Sequence, residues 1–371
     1  MKEKGMWEAV LTFVGVIVGA GILGLPYVFS KVGVILGLIL MFIFMLILGF
    51  SYIVIGEVCQ RTRGKHQLVG LVEKYLGKKW KIVMAATMIV SLYGALVAYS
   101  LVAGNILDAF FGGGVLIYSI LFVLILSIFL FFKFRTFAGL ESAISLIKII
   151  FCLVVGIYLL KDINVGNLLG FNVKEIVYPL GVIMFALCGV SVIPIMNFEL
   201  IKKNEFKKAI WIGLLISVII YAIFAVSFVG VMGSTTPEVA TMGLQGGLFI
   251  IVNIFVLLAL ITAFLGLGLA LKETYVFDFK MMGYKAWILL FVGTLVLVIF
   301  NPASFIKILG LTGALSAGLA TILLYYAHSV ARKKSDLEPS YKMNDYKLLK
   351  ILFSILFLFV LILEIISLFV V

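Results

Sequence analysis

Residues 15–26 read Gly-Val-Ile-Val-Gly-Ala-Gly-Ile-Leu-Gly-Leu-Pro, inside the first of eleven long apolar runs. Four glycines and a proline make poor material for a continuous helix, since each glycine costs about 1 kcal/mol and an interior proline about 3 kcal/mol relative to alanine. A helix broken within a bilayer leaves N–H and C=O groups unpaired. That is tolerated only where the break faces protein, water or a ligand. Discontinuous helices whose half-ends face a substrate are typical of secondary transporters. Gly15 and Gly19 also form a GxxxG pair, which lets helices approach closely. Gly24 and Pro26 add nothing to such a face, so an unwound segment over residues 19–24 is the expectation.

The runs are near the ~20 residues needed to cross a bilayer. Their limits are 7–31, 33–59, 81–110, 115–133, 141–160, 174–197, 207–232, 247–271, 285–300, 303–328 and 348–370, numbered here as spans 1 to 11. Charged residues make up 12% of the chain, against about 25% in soluble domains, and the mean hydropathy is +1.28. The fold class expected is therefore all-α and integral to the membrane, one transporter-like domain over 1–371. With the N-terminus inside, the regions expected to be cytoplasmic are the N-terminal tail, 60–81, 133–135, 202–208, 272–285 and 332–350. These hold 24 of the 29 Lys and Arg, and only Lys31, Lys161, Lys174 and Lys307 fall outside. Basic residues concentrate on the cytoplasmic side of membrane proteins, and a missed span would reverse every later loop. The net charge of +12 thus reads as membrane orientation in a cell-membrane protein, with no nucleic-acid partner, and the C-terminus is expected outside. The first run is too long and glycine-rich for a cleavable signal. Cys59, Cys152 and Cys188 offer no disulfide or zinc spacing. His66 and His328 stand near loop ends, where solvated or interfacial roles are expected, and no metal or cofactor is called for. Residues 329–347, with Arg332-Lys333-Lys334 and Pro339, read as a solvated linker.

Span 6 echoes span 1. Gly189 stands five residues before Pro194, as Gly21 stands before Pro26, at a separation of 168 residues or five spans. Five is odd, so the second copy runs the opposite way. The pattern predicts an inverted repeat of spans 1–5 (7–160) and 6–10 (174–328), with an eleventh span appended (348–371).

At Ile17-Val-Gly-Ala-Gly-Ile-Leu-Gly-Leu-Pro-Tyr27, Tyr93-Gly-Ala-Leu-Val-Ala-Tyr99, Phe185 through Pro194 and Leu260-Ile-Thr-Ala-Phe-Leu-Gly266, the chain resembles the amino acid–polyamine–organocation superfamily. It is most similar to the amino acid/auxin permease branch and its relatives, the bacterial aromatic amino acid permeases. The resemblance covers roughly residues 7–330 and implies the fold first seen in the bacterial leucine transporter, ten core helices in two inverted halves.

An amino acid zwitterion brings both charges into a low-dielectric centre, where each needs a partner. A broken helix supplies N–H donors for the carboxylate and carbonyls for the ammonium. The resemblance assigns the donors to Ala20, Gly21 and Ile22 beside Gly19. It assigns the carbonyls to Ile17 and to Phe185, Ala186 and Cys188 beside Gly189. No acidic residue lies in either break, which favours a neutral substrate over a dication. Tyr99 is a candidate phenol donor or a packing tyrosine, Phe185 a lid, and Cys188 and Ser191 pocket-shaping residues. Lys148 sits about seven residues into span 5, ~10 Å from its inner end. An intramembrane lysine is a functional candidate, the alternative being one that snorkels to the interface. By resemblance its ammonium takes the place of a sodium ion between the carbonyls of Gly15 and Val18 and span 8 near Thr262. Ala263 replaces the second hydroxyl of the sodium-binding relatives. Glu57, Glu141, Glu199 and Glu273 stand at inner span ends, where interfacial solvation or loop salt bridges suffice, and Glu364 lies deeper in span 11, toward a partner or the outer surface.

These features point to a secondary transporter importing a neutral amino acid by alternating access with a proton as coupling ion. Aromatic and branched aliphatic substrates are favoured by the apolar breaks. A receptor on the same fold and a sodium-coupled permease stay open as alternatives. An enzyme is not expected, since no nucleophile–base set or acidic cluster occurs.

Overall fold

A computed structural model describes residues 5–64, 66–131, 141–277, 279–300 and 303–369. The expected basic turn at 133–135 and the Glu141 side chain lie outside the described residues. The regular elements among the described residues are helices. Span 1 is a pair, Met6–Ile17 and Gly21–Val32. Then come Val34–Arg61 (span 2), Lys78–Phe111 (span 3), Val115–Phe131 (span 4) and Glu141–Leu159 (span 5). Span 6 is again interrupted, Leu180–Ala186 and Ile193–Glu199. Phe206–Met232, Gly246–Phe277, Gly283–Ile299, Phe305–Ala331 and Lys347–Phe369 complete spans 7 to 11. Spans 4 and 9 have 17 residues each, at the lower limit for crossing.

Spans 1 and 2 meet at a single residue, Gly33, with φ +94°. A methyl there would also come 2.6 Å from the Gly170 carbonyl carbon, so both backbone and space demand glycine. The expected loop at 60–81 holds a short helix, Leu68–Leu76. Its buried Leu68, Val69, Leu71, Val72 and Tyr75 fall at helical spacing, so it lies on the bundle with one apolar face down. Spans 6 and 10 form the centre, with 78% and 83% of their apolar windows buried, whereas span 11 has 11% buried and lies at the edge.

The segment after span 10 is not the freely solvated linker expected. The N–H groups of Asp336 and Leu337 donate to the Arg61 carbonyl at 3.0 and 3.2 Å. Ser340 donates through N–H and Oγ to Gln60 Oε1, and Tyr341 Oη donates to the Ile53 carbonyl at 2.8 Å. Beneath this strap the Glu57 carboxylate accepts from Arg61 Nε (2.8 Å), His328 Nε2 (3.1 Å) and Met343 N–H (2.7 Å). Lys350 Nζ stands 2.7 Å from His328 Nδ1. An ammonium can only donate, so Nδ1 accepts and Nε2 carries the proton. Glu57 and His328 are fully buried, which corrects the solvated reading of both, and Glu57 is held by the pairs with Arg61 and His328. Span 2 could not announce this, because the partners arrive from spans 10 and 11 and the strap between them.

Candidate substrate site

The hydrogen-bond ladder of span 1 fails at Val18–Ala20. Val18 N–H still reaches the Val14 carbonyl, and Gly19 N–H folds back onto Ile17 at 2.8 Å. Ile22 and Leu23 N–H donate to Gly19 and Ala20 at 3.3 and 3.1 Å as a new helix begins. Among the described residues the N–H groups of Ala20 and Gly21 have no acceptor. The two halves are bent by 61°. The break is therefore shorter and earlier than expected, because Gly21 through Gly24 are already helical and Pro26 lies within the second helix. Pro26 removes the bond that the Ile22 carbonyl would have received without ending the helix. A side chain competes for the backbone upstream instead: Tyr221 Oη of span 7 lies 2.6 Å from the Ile17 carbonyl.

The same hydroxyl lies 2.8 Å from the Ala186 carbonyl, where the first helix of span 6 ends. Its single proton serves one carbonyl at a time or is shared between them. Tyr52 of span 2 holds the other side of that break. Its hydroxyl donates to the Leu187 carbonyl and accepts from Gly189 N–H, each at 2.8 Å. Residues 190–192 form a single 3-10 turn before the helix resumes, so the interruption covers the expected 188–191. A methyl at Gly21 would stand 2.7 Å from Ala186 Cα and 3.1 Å from Phe185 Cδ1. One at Gly189 would stand 2.6 Å from Phe13 and 3.2 Å from Ile17. Gly21 thus brings span 1 directly against the Ala186 backbone of span 6, while the Phe13 and Ile17 side chains fill the space at Gly189.

Beside the break of span 1 lies a partly open cavity. Val18, Gly19, Ala20 and Ile22 line it from span 1, and Lys148 and Cys152 from span 5. Phe224, Thr241, Val252 and Ala263 are among its other walls, with Phe151 and Phe255 stacked at 3.7 Å between spans 5 and 8. Its lining is overwhelmingly apolar and aromatic, with few polar side chains, the usual character of a small-molecule pocket.

The structure sorts the expected residues into groups. Gly19, Ala20, Ile22, Val18 and Lys148 share the cavity. Ile17, Gly21, Phe185, Ala186 and Gly189 meet at the crossing of the breaks rather than on the cavity wall. Tyr99 is buried, its hydroxyl 3.9 Å from where a Gly19 methyl would be. Cys188 Sγ donates to Ser316 Oγ at 3.4 Å, on the π-helical turn Ala314–Leu319 of span 10. Ser191 is exposed. Gly15 is buried outside the cavity lining, and Thr262 Oγ1 donates to its own helix at Ala259 (2.9 Å). Tyr52 and Tyr221 were missed. Among 15 tyrosines nothing in the sequence marks a phenol that will bridge distant backbone.

A bundle centred on two interrupted helices, five spans apart and apposed, defines the class: a secondary transporter of the leucine-transporter fold. The backbone overlays on MhsT, solved in complex with L-phenylalanine, with a TM-score of 0.69 over 99% of both chains at 15% identity. A family model of the tryptophan/tyrosine permeases matches residues 2–366, and the chain belongs to that family. It is 27% identical to tyrosine-specific transport system 1 of Haemophilus influenzae, covering 84% of this chain and 85% of the relative. It is 24% identical to glutamine transporter 2 of Aliivibrio fischeri, covering 92% and 93%. The protein is a membrane-embedded amino acid transporter, a permease and not an enzyme.

Proposed function

We propose that the chain imports an aromatic or branched aliphatic neutral amino acid across the cell membrane in symport with a proton. The N-terminus lies inside, the C-terminus outside, and residues 7–160 and 174–328 act as the two inverted halves. The observation that carries this reading is the open backbone at Ala20 and Gly21 beside an aromatic-walled cavity that also holds Lys148. The free N–H groups at the start of a helix suit the substrate carboxylate. The Ile17 and Ala186 carbonyls, now facing Tyr221, suit the ammonium. Phe151, Phe224 and Phe255 suit an apolar side chain. Tyrosine transport by the Haemophilus relative supports the aromatic choice.

Lys148 is the coupling residue in this reading. An ammonium beside the carbonyl ends of the first half of span 1 is favoured by the helix dipole, and losing its proton changes that balance. One proton moving inward down ~100 mV supplies ~2.3 kcal/mol, roughly a 50-fold substrate gradient. The test is uptake into proteoliposomes, screened over the amino acids in sodium-free buffer with and without a pH gradient. Aromatic substrates should accumulate only with the gradient. Lys148→Ala should abolish accumulation while substrate exchange persists. A strict sodium requirement, or full proton-driven uptake by the alanine variant, overturns the coupling assignment. Binding with no flux in the parent would leave a receptor.

A further inference from the structure

Span 11 lies at the edge of the bundle, yet it sends one carboxyl inward. Glu364 is only 9% exposed and sits 17 residues into Lys347–Phe369, well inside the membrane-crossing helix. Its carboxyl lies in a notch made by two glycines, Gly181 of span 6 and Gly310 of span 10. A methyl at Gly181 would come 2.7 Å from the Glu364 carboxyl carbon and 2.7 Å from Gly310 Cα. A methyl at Gly310 would come 2.5 Å from that same carbon. The two helices touch through bare backbone, and the side chain fills the space that ordinary residues would occupy.

The location matters because spans 6 and 10 shut the half of the molecule assigned above to the outside. Gly313 packs against the Phe185 backbone, where a methyl would come 2.5 Å from Phe185 N. Ile306 and Leu309 of span 10 press on Gly24 of span 1, at 2.9 and 3.1 Å from its would-be methyl. Opening this side must separate these surfaces and wet the notch. The charged groups on the surrounding elements are few. Leu180–Ala186 and Ala314–Leu319 carry no titratable side chain, and Phe305–Gly313 carries Lys307, one turn from Gly310. Tyr325, Tyr326 and His328 of Ala320–Ala331 begin 15 residues beyond Gly310, roughly 22 Å along the helix, and Lys350 of span 11 lies about as far from Glu364. An ionised carboxylate sealed in the notch would be a buried charge in a membrane helix, which is costly. A neutral carboxylic acid carries no such cost.

We propose that Glu364 is a proton-binding site whose neutral form lets spans 6, 10 and 11 close the outer pathway. The carboxylate favours the open, hydrated notch, and taking a proton from outside permits closure. Span 11 thereby couples external protons to the gate, separately from Lys148. The inference rests on the orientation given under the proposed function, but its test does not need transport.

A thiol placed at the gate, Ile306→Cys, is buried when the outer side is shut. Its labelling by a membrane-impermeant maleimide applied from outside reports opening. Rates are measured from external pH 5 to 8 with Glu364 and with Glu364→Gln, using the protein without the new thiol as background. Dividing the two rates cancels the thiol's own ionisation. The ratio should rise at least tenfold with pH, and a flat ratio overturns the proposal. Glu364→Met, also neutral at every pH, replaces the glutamine variant if that fails to fold. With Glu364 present, the rate relative to a free thiol in solution should show the same rise. Its absence overturns the proposal without any substitution at 364. Failure of amino acid uptake with the pH-dependent labelling intact would instead count against the transport reading alone.

Discussion

Tyr221 has the most consequential hydroxyl in the molecule. It ties the Ile17 carbonyl of span 1 to the Ala186 carbonyl of span 6, across 204 and 35 residues of chain. A buried carbonyl left without a donor costs about 1–3 kcal/mol. Tyr221→Phe keeps the ring and removes the proton, so the variant should unfold at a lower temperature in detergent, by an amount corresponding to a loss of about 1–3 kcal/mol. A substrate ammonium that competes for the same carbonyls should restore part of that loss. A melting temperature equal to the parent's would show that the carbonyls find other donors. Tyr52 works alike on one element only, satisfying both the acceptor at Leu187 and the donor at Gly189. The two tyrosines explain how backbone stays broken in an apolar core, where unpaired groups would otherwise be prohibitive.

Among the elements, the strap at residues 332–346 combines polar anchors with aromatic packing, Tyr341 stacking on Phe206 and Tyr346 standing edge-on to Phe50. Its outer anchor is Asp336, which ion-pairs with Lys74 and accepts from Arg63 N–H at 2.9 Å. The Lys74 hydrogen bond, followed by that of the Arg63 N–H, holds the Asp336 carboxyl below its ordinary value of 3.8. A depressed carboxylate contributes stability that is complete above the ordinary value and is lost as pH falls through the folded one. The anchor should therefore be intact at neutral pH and release only in acid, below about pH 4. Asp336→Asn removes the charge at every pH. Trypsin should then cut the purified protein several-fold faster at Arg332-Lys333-Lys334 at neutral pH. An unchanged rate would mean that Ser340, Tyr341 and Met343, bound to Gln60, Ile53 and Glu57, hold the strap without it. Asp345 is similarly held low, despite partial burial that pushes the other way, by Lys350 and Arg332. The strap thus links span 10 and span 11 to the end of span 2.

At the scale of the whole molecule, the proposed alternation of eleven spans assigns each surface to one solution. Single cysteines at Val165, Lys203, Ser234 and Lys342 should react with impermeant reagent from outside, inside, outside and inside of whole cells and inverted vesicles. Ser234 is chosen over its neighbour Ala240 because Ala240 is fully buried. Reaction of position 203 from outside would remove the inverted-repeat reading, since spans 1 and 6 would then run the same way. The contacts of Gly24 with Ile306 and of Gly313 with Phe185 leave the proposed outer side shut. The cycle therefore needs the second half of span 1, the first of span 6 and the first of span 10 to part.

The membrane class, the apolar helices and the interruptions of spans 1 and 6 were legible in the sequence, because each is a local property. Apolar run length, basic loops and clustered glycines act on the residues that carry them. The position of the break within span 1 was not, since Gly21 and Pro26 look like breakers and yet lie in regular helix, while a phenol from span 7 claims Ile17. Gly19, Ala20 and Lys148 could be nominated from the sequence, but that they line one cavity while Thr262 turns to its own helix depends on how spans 1, 5 and 8 are rotated. The burial of Glu57 and His328 escaped the sequence for the same reason. A charge near a helix end reads as solvated until distant chain covers it, and whether it is covered depends on contacts between residues up to 286 apart. Sequence pattern sets which way each segment can fold and which solvent it prefers. Only the packing of the bundle decides which polar atoms meet, because that choice is made between segments that know nothing of each other along the chain.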